Sequence, residues 1–187
     1  MATSDRDSTE AVRATTPQLV LVSGVPGVGK STVAGWIAER LDAAHLRTDV
    51  VRKELFPDPS YSDAETDAVY ATVVDRAREH LRAGESAVLD ATYKDREKRV
   101  GPRRAARDLD VPLRIVKVEA EPTVIRERIR QRTDDASDAD VEIYERFRRE
   151  FEPIERPYTT IDNTGSFEET VDQLEAAFAR DRVPVSQ

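Results

Sequence analysis

Short β-rich runs alternate along the chain with longer stretches in which apolar residues recur at helical spacing. Gln18 to Ser23 (QLVLVS) is apolar on both alternating faces, the pattern of a strand buried between two layers. A glycine-rich turn follows, and Ser31 to Leu41 (STVAGWIAERL) then sets Val33, Trp36, Ile37 and Leu41 on one side of a predicted helix. His45 to Val51 (HLRTDVV) predicts a short second strand ending at Asp49, with Arg52 on a new helix. Ser62 and Glu65 have the spacing of a capping box, opening a long helix to about Ala83 with Gly84 as its stop. Strand signals recur at Ser86 to Asp90 (SAVLD), Leu113 to Glu119 (LRIVKVE) and Tyr158 to Ile161 (YTTI). Between and beside them lie helical segments at 95–108, 122–132 and 138–152, and a last helix opens on a second capping box, Ser166 with Glu169. Five strands alternating with helices of this length require right-handed crossovers. They predict an α/β three-layer sandwich with a mainly parallel five-stranded sheet, whose ligands bind at the carboxyl ends of the strands.

Composition sets the limits of this picture. With 39% hydrophobic residues in 187, the chain supports one sizeable core. The expected organisation is a tail over residues 1–16, one domain over 17–182 and a C-terminal tail over 183–187. There is no cysteine, no apolar run near the roughly 18 residues of a membrane span, and no signal-peptide core at the N-terminus. A cytoplasmic protein without disulfides or thiolate metal sites is expected. Acidic residues outnumber basic ones 37 to 29, for a formal charge of -8, and that field disfavours general binding to nucleic acid.

The strongest chemical signal lies between the first strand and the first helix. Gly24, Val25, Pro26, Gly27, Val28, Gly29, Lys30 and Ser31 match G-x-x-x-x-G-K-[ST] in full, and Thr32 carries the chain into the helix. Glycines let the backbone turn its amide hydrogens inward on phosphates, and the helix adds its positive N-terminal end. Lys30 neutralises β and γ oxygens, and Ser31 supplies a hydroxyl to a Mg²⁺ that bridges them. GTPases, motor ATPases and small kinases share this loop. The chain has no N-K-x-D guanine signature, is short for the larger ATPase modules, and carries a helix-rich stretch near its end suited to a lid. A kinase using ATP is therefore the leading class.

On spacing alone, Asp49 and Arg52 share a helix face, where a carboxylate could take a proton from an acceptor hydroxyl and an arginine could hold an anionic group. An N-cap aspartate beside a surface arginine is the alternative. Asp90 ends a strand where the sheet opens, so it either holds a water on Mg²⁺, contacts the acceptor, or caps the next turn, with Thr92 just beyond it.

The loop GVPGVGKS, the segment TDVVRKELF, the strand end VLDATYKDREKR and the stretch RERIRQRTDDASDAD together resemble P-loop kinases related to polynucleotide 5'-hydroxyl kinase domains and zeta-toxin-type kinases. The likeness covers residues 18 to about 165. It implies a nucleoside-kinase-like fold with a helical lid, Asp49 activating the acceptor hydroxyl, Arg52 contacting the acceptor's phosphate, and functional roles for Asp90 and Thr92. It also implies that Arg128 and Arg132 are lid arginines that clamp the transferring phosphate, and places Asp162 to Ser166 beside the adenine ring, where an ordinary loop is the alternative.

Arg126, Arg128, Arg130 and Arg132 recur at alternate positions, and like charges four apart cost an isolated helix about 0.2–0.5 kcal/mol per pair, so anions must compensate. A solvated face is expected for Arg126 and Arg130. The acidic run Thr133 to Asp140 lacks the glycine of a calcium loop and reads as a solvated lid with Ser137 as N-cap. Lys94 to Arg107, including Lys98, Arg99, Arg103 and Arg104, reads as a wet amphipathic face, and His45 and His80 as isolated. Two functions stay open. One is a Mg²⁺-dependent kinase whose acceptor is a small molecule, favoured by the net charge, a nucleotide-like molecule or a polynucleotide 5' end. The other is an ATPase or switch that passes phosphate to water and acts through a protein partner.

Overall fold

The computed structural model describes residues 16–131 and 138–179. Within them β1 (Leu19–Ser23), β2 (Ala44–Arg47), β3 (Ala87–Asp90), β4 (Leu113–Glu119) and β5 (Thr159–Asp162) form one sheet in the order β2-β3-β1-β4-β5, every pair parallel. The helices are α1 (Lys30–Leu41), α2 (Thr48–Leu55), α3 (Asp63–Arg82), α4 (Val100–Asp108), α5 (Pro122–Gln131), α6 (Asp138–Glu150) and α7 (Phe167–Ala177). Crossovers lead to one side of β1 for β2 and β3 and to the other for β4 and β5. The switch point therefore falls at β1, and a ligand crevice is expected outside its carboxyl end.

The alternation of β1 divides the core. Val20 and Val22 face the layer that holds Val33 and Ile37 of α1, Leu174 of α7 and Phe178. Leu19 and Leu21 face the layer of Val69, Val73 and Ala77 of α3 and Ala105 of α4. All four strand residues are fully buried, each stabilising the fold by about 1.5–3 kcal/mol. This is why a run apolar on both faces becomes the central strand.

Local chemistry shifts several boundaries. β2 stops at Arg47 rather than at Asp49, because the Thr48 hydroxyl donates to the Asp90 carbonyl at 3.3 Å and helix α2 begins there. Asp49 thus lies in the first turn of α2, where a carboxylate is favoured by the helix dipole. The segment 95–108 divides into a 3-10 turn, Glu97–Arg99, and α4. Ser62 caps α3 by accepting from the Glu65 amide, but the Glu65 carboxylate instead accepts from Ser60 and the Tyr61 amide, so that capping box is half closed. The box at Ser166 and Glu169 is complete. Most of the expected N-terminal tail, the acidic run through Ser137, and residues 183–187 lie outside the described residues.

Candidate active site

The loop from Gly24 to Gly29 occupies the crevice at the end of β1 and is braced from both sides. On one side the Thr92 carbonyl accepts from the Ser23 hydroxyl at 2.9 Å and from the Gly24 amide at 3.2 Å. On the other the Asn163 side-chain amide, at the end of β5, donates to the Val28 carbonyl at 2.8 Å. Two glycines are required by this packing. A Cβ on Gly24 would stand 2.6 Å from the Val118 carbonyl oxygen, and one on Gly29, whose φ is 94°, would stand 2.2 Å from the Asn163 nitrogen. Gly29 immediately precedes α1, so the loop delivers the chain directly into the helix N-terminus. The Lys30 ammonium crosses the loop to donate to the Val25 carbonyl at 2.9 Å.

Asp90, buried at the end of β3, collects several of the predicted residues around one carboxylate. Burial pushes its pKa up, but hydrogen bonds from His45 and Ser31 and the charge of Lys30 outweigh that and hold the carboxyl below its ordinary value. The Ser31 hydroxyl and an ionised carboxylate therefore stand together beside the glycine loop, a pair of hard oxygen donors of the kind that Mg²⁺ takes alongside phosphate oxygens. Among the described residues no group of three or more acidic or histidine side chains could hold a metal unaided.

His45 is not isolated: its Nε2 lies 3.3 Å from Asp90 Oδ2. Arg47, which sequence reasoning missed, lies between the two expected carboxylates, donating to Asp49 at 2.8 Å with its Nε 3.6 Å from Asp90. The available signal was the position of Arg47 at the carboxyl end of β2, two residues after His45 and so on the same sheet face. Asp49 itself is exposed, and Arg52 is largely buried, donating to the Thr66 hydroxyl at 3.2 Å with its guanidinium 4.9 Å from the Tyr61 ring. The pair is neither an N-cap nor a surface arginine. Thr92 contributes its carbonyl to the loop.

The arginines of α5 separate by partner. Arg126 is not a solvated residue but pairs with Glu145 on α6, its Nε 2.9 Å from the carboxylate, tying the two lid-side helices together. Arg128 donates to the Asn163 carbonyl at 2.8 Å. Arg130 is exposed, and Arg132 lies outside the described residues. Asn163 belongs to the DNTGS stretch expected either beside an adenine ring or as an ordinary loop, and its role as a brace of the glycine loop was not foreseen. It holds the glycine loop by its side chain and Arg128 by its carbonyl, and its own side-chain oxygen accepts from Thr170 at 2.8 Å. Arg99 departs from the wet face expected of it: it is buried and donates to the carbonyls of Tyr93, Lys94, Glu152 and Pro153. His80 pairs with Glu85 at 2.6 Å.

Two cavities flank this centre. One of about 780 Å³ opens from Gly24, Val25 and Val28 across the ends of β4 and β5 to Thr164. The other, about 1080 Å³, lies between the start of α3, residues 94–100 and α6. No helix among the described residues is long and apolar enough to cross a membrane.

The chain is similar to known proteins in sequence and in fold. A family model described as an AAA domain matches residues 19–154. An uncharacterized protein of Mycobacterium tuberculosis is 34% identical over 148 residues, covering 73% of this chain and 30% of the relative, so the chain spans under a third of the length of the first curated relatives that it matches. A gluconokinase of Gluconobacter oxydans is 29% identical over 123 residues, covering 62% of this chain and 66% of its own. Among solved structures, the Mycobacterium tuberculosis APS kinase CysC in complex with AMPPNP and APS superposes with a TM-score of 0.66 at 20% identity, over 86% of this chain and 98% of that one. The fold is that of the P-loop kinases.

Proposed function

Because the chain belongs to the AAA domain family, we propose that it is an ATP- and Mg²⁺-dependent kinase that transfers the γ-phosphate to a hydroxyl group. The observation that carries this reading is the convergence, at the carboxyl ends of the neighbouring strands β1 and β3, of the glycine loop with the buried Asp90 carboxylate. The segment from Gly24 to Thr32 holds the phosphates, with Lys30 supplying the charge. Ser31 and Asp90 are the donors that would hold Mg²⁺, which when bound neutralises charge shared by the β- and γ-phosphates. Asp49, steered by Arg47, takes the acceptor's proton as the acceptor oxygen bonds to the γ-phosphorus and the bond to the oxygen left on ADP breaks. Arg52 and Thr92 lie on the acceptor side, and Arg128 and Arg132 stabilise charge when the lid closes.

The test is Asp49→Asn. Phosphorylation of the acceptor, followed by mass spectrometry with ATP and Mg²⁺, should fall by roughly 10²- to 10⁴-fold, while ATP affinity stays within about twofold of the parent. Unchanged turnover with a true acceptor removes Asp49 from the mechanism. ATP hydrolysis that saturates without acceptor and ignores the Asn substitution points instead to a switch acting through a protein partner.

A further inference from the structure

The 1080 Å³ cavity is lined by six carboxylates and four cationic side chains, a net of two negative charges. Three of its four cations stand in ion pairs, and the fourth, Arg146, has its guanidinium 5.3 Å from the Phe147 ring. Lys94 pairs with Asp95 at 2.8 Å and Glu150 at 3.2 Å, Lys98 pairs with Asp67, and Arg96 pairs with Glu155 at 2.8 Å. A phosphate or carboxylate entering here would have to compete with these carboxylates for the same cations within a net negative field, which disfavours an anion. A neutral molecule with many hydroxyls faces no such barrier. Each ion pair offers it both donors and acceptors at fixed positions, and hydroxyls can use these without displacing either partner.

Two aromatic residues complete the wall. Phe147 on α6 stands with the Lys94 ammonium 5.3 Å from its ring, and Tyr61 stands against the Arg52 guanidinium. Tyr61 is 71% exposed yet held at a φ of 55°, a conformation that costs an ordinary residue free energy and is maintained by its surroundings. Polar groups between aromatic faces match a polyol, whose C–H surface packs on rings while its hydroxyls bond at the edges.

The cavity also adjoins the proposed reaction centre. Arg52, one turn from Asp49 on α2, bonds Thr66 in the cavity wall. Lys94 is two residues beyond Thr92, whose carbonyl braces the glycine loop, and two residues span at most about 7 Å.

We infer that this cavity is the acceptor site of the proposed kinase and that the acceptor is a neutral polyhydroxylated molecule, a sugar or cyclitol, rather than a sugar acid, a nucleotide or a nucleic-acid end. The inference rests on the kinase reading. It also changes the role of Arg52, which orders Tyr61 and Thr66 instead of gripping an acceptor phosphate.

The experiment offers ATP, Mg²⁺ and a panel of neutral sugars and cyclitols, gluconate, nucleoside monophosphates and a 5'-hydroxyl oligonucleotide to the parent protein, Phe147→Ala and Thr66→Val. Thr66→Val removes one hydroxyl at nearly constant shape and guards against a folding defect in Phe147→Ala. Phosphorylation of a neutral polyol at a kcat/KM at least about tenfold above any anionic acceptor, with acceptor KM raised about tenfold in both variants and the KM for ATP unchanged, is the expected result. Preference for an anionic acceptor, or a polyol KM indifferent to both substitutions, overturns the inference while leaving the kinase reading intact. ATP consumed only by transfer to water, whichever acceptor is present, overturns both.

Discussion

The two walls of the crevice are built differently. On the nucleotide side the glycine loop is held by main-chain groups and one buried amide, with Thr92 bracing Ser23 and Gly24 and Asn163 holding Val28. On the proposed acceptor side the cavity is lined by ion pairs on partly exposed side chains, such as Lys98 with Asp67 and Lys94 with Glu150. Buried bonds to the backbone leave little room for change, because a carbonyl without its donor costs about 1–3 kcal/mol. Exposed ion pairs contribute about 0–1 kcal/mol each and can be rearranged without loss of the fold. A P-loop kinase can thus keep its donor half while its acceptor half drifts to a new substrate.

The largest test of that contrast is Gly29→Ala. The new methyl group would meet the Asn163 nitrogen at 2.2 Å while the backbone remained at a φ of 94°. The backbone conformation alone costs about 1–3 kcal/mol, and either Asn163 or the loop must then move. ATP affinity by calorimetry should fall about a hundredfold, equivalent to about 2.8 kcal/mol. An affinity within threefold of the parent would show that the loop is not pinned as described.

A smaller break targets the pin itself. Asn163→Ala leaves the Val28 carbonyl without its donor, while Thr170 keeps its bond to the Ser166 carbonyl at 3.2 Å. We expect the KM for ATP to rise about tenfold, or about 1.4 kcal/mol, with the acceptor KM unchanged. Asn163→Asp should be no better, because a carboxylate oxygen would then face that carbonyl. Recovery in the aspartate variant would mean that shape, not the donated hydrogen bond, holds the loop.

The same contrast governs what could be read from the chain. Gly24 to Ser31 was legible because every position serves local geometry between a strand and a helix. The strands β1, β3 and β4 were legible from their apolar runs, β2 and β5 from their place between helical segments, and Asp90 from its place at a strand end. The brace at Asn163 was not, since its partner Val28 lies 135 residues away and nothing local separates such an asparagine from a turn residue. Arg99 was misread for the same reason: the carbonyls of Glu152 and Pro153 that bury it are supplied by a distant segment. Arg47 and His45 acquired meaning only when parallel pairing of β2 with β3 set Arg47 opposite Asp90. On the acceptor side, 94–107 reads as mixed charge whether its pairs line a cavity or merely face water.

The smallest effect concerns a ring pair next to the proposed acceptor side, Tyr70 lying one turn after Thr66 and Tyr93 just before Lys94. Tyr70 of α3 and Tyr93 meet edge to face at 5.1 Å, and the Tyr93 amide donates to the Tyr70 hydroxyl at 3.4 Å. Burial pushes Tyr70 up to about 12 and Tyr93 well above the ordinary value near 10. Between pH 10 and 12 the unfolded chain loses protons that the folded chain keeps, so it binds fewer of them and stability must fall as pH rises. Below pH 10 this contribution is fully present. The urea midpoint should therefore be insensitive to these groups up to about pH 10 and decline above it. Tyr70→Phe should make that decline shallower and remove a tyrosinate absorbance step near pH 12. An unaltered alkaline profile in Tyr70→Phe would mean that this ring pair is as open to water as the ion pairs around it.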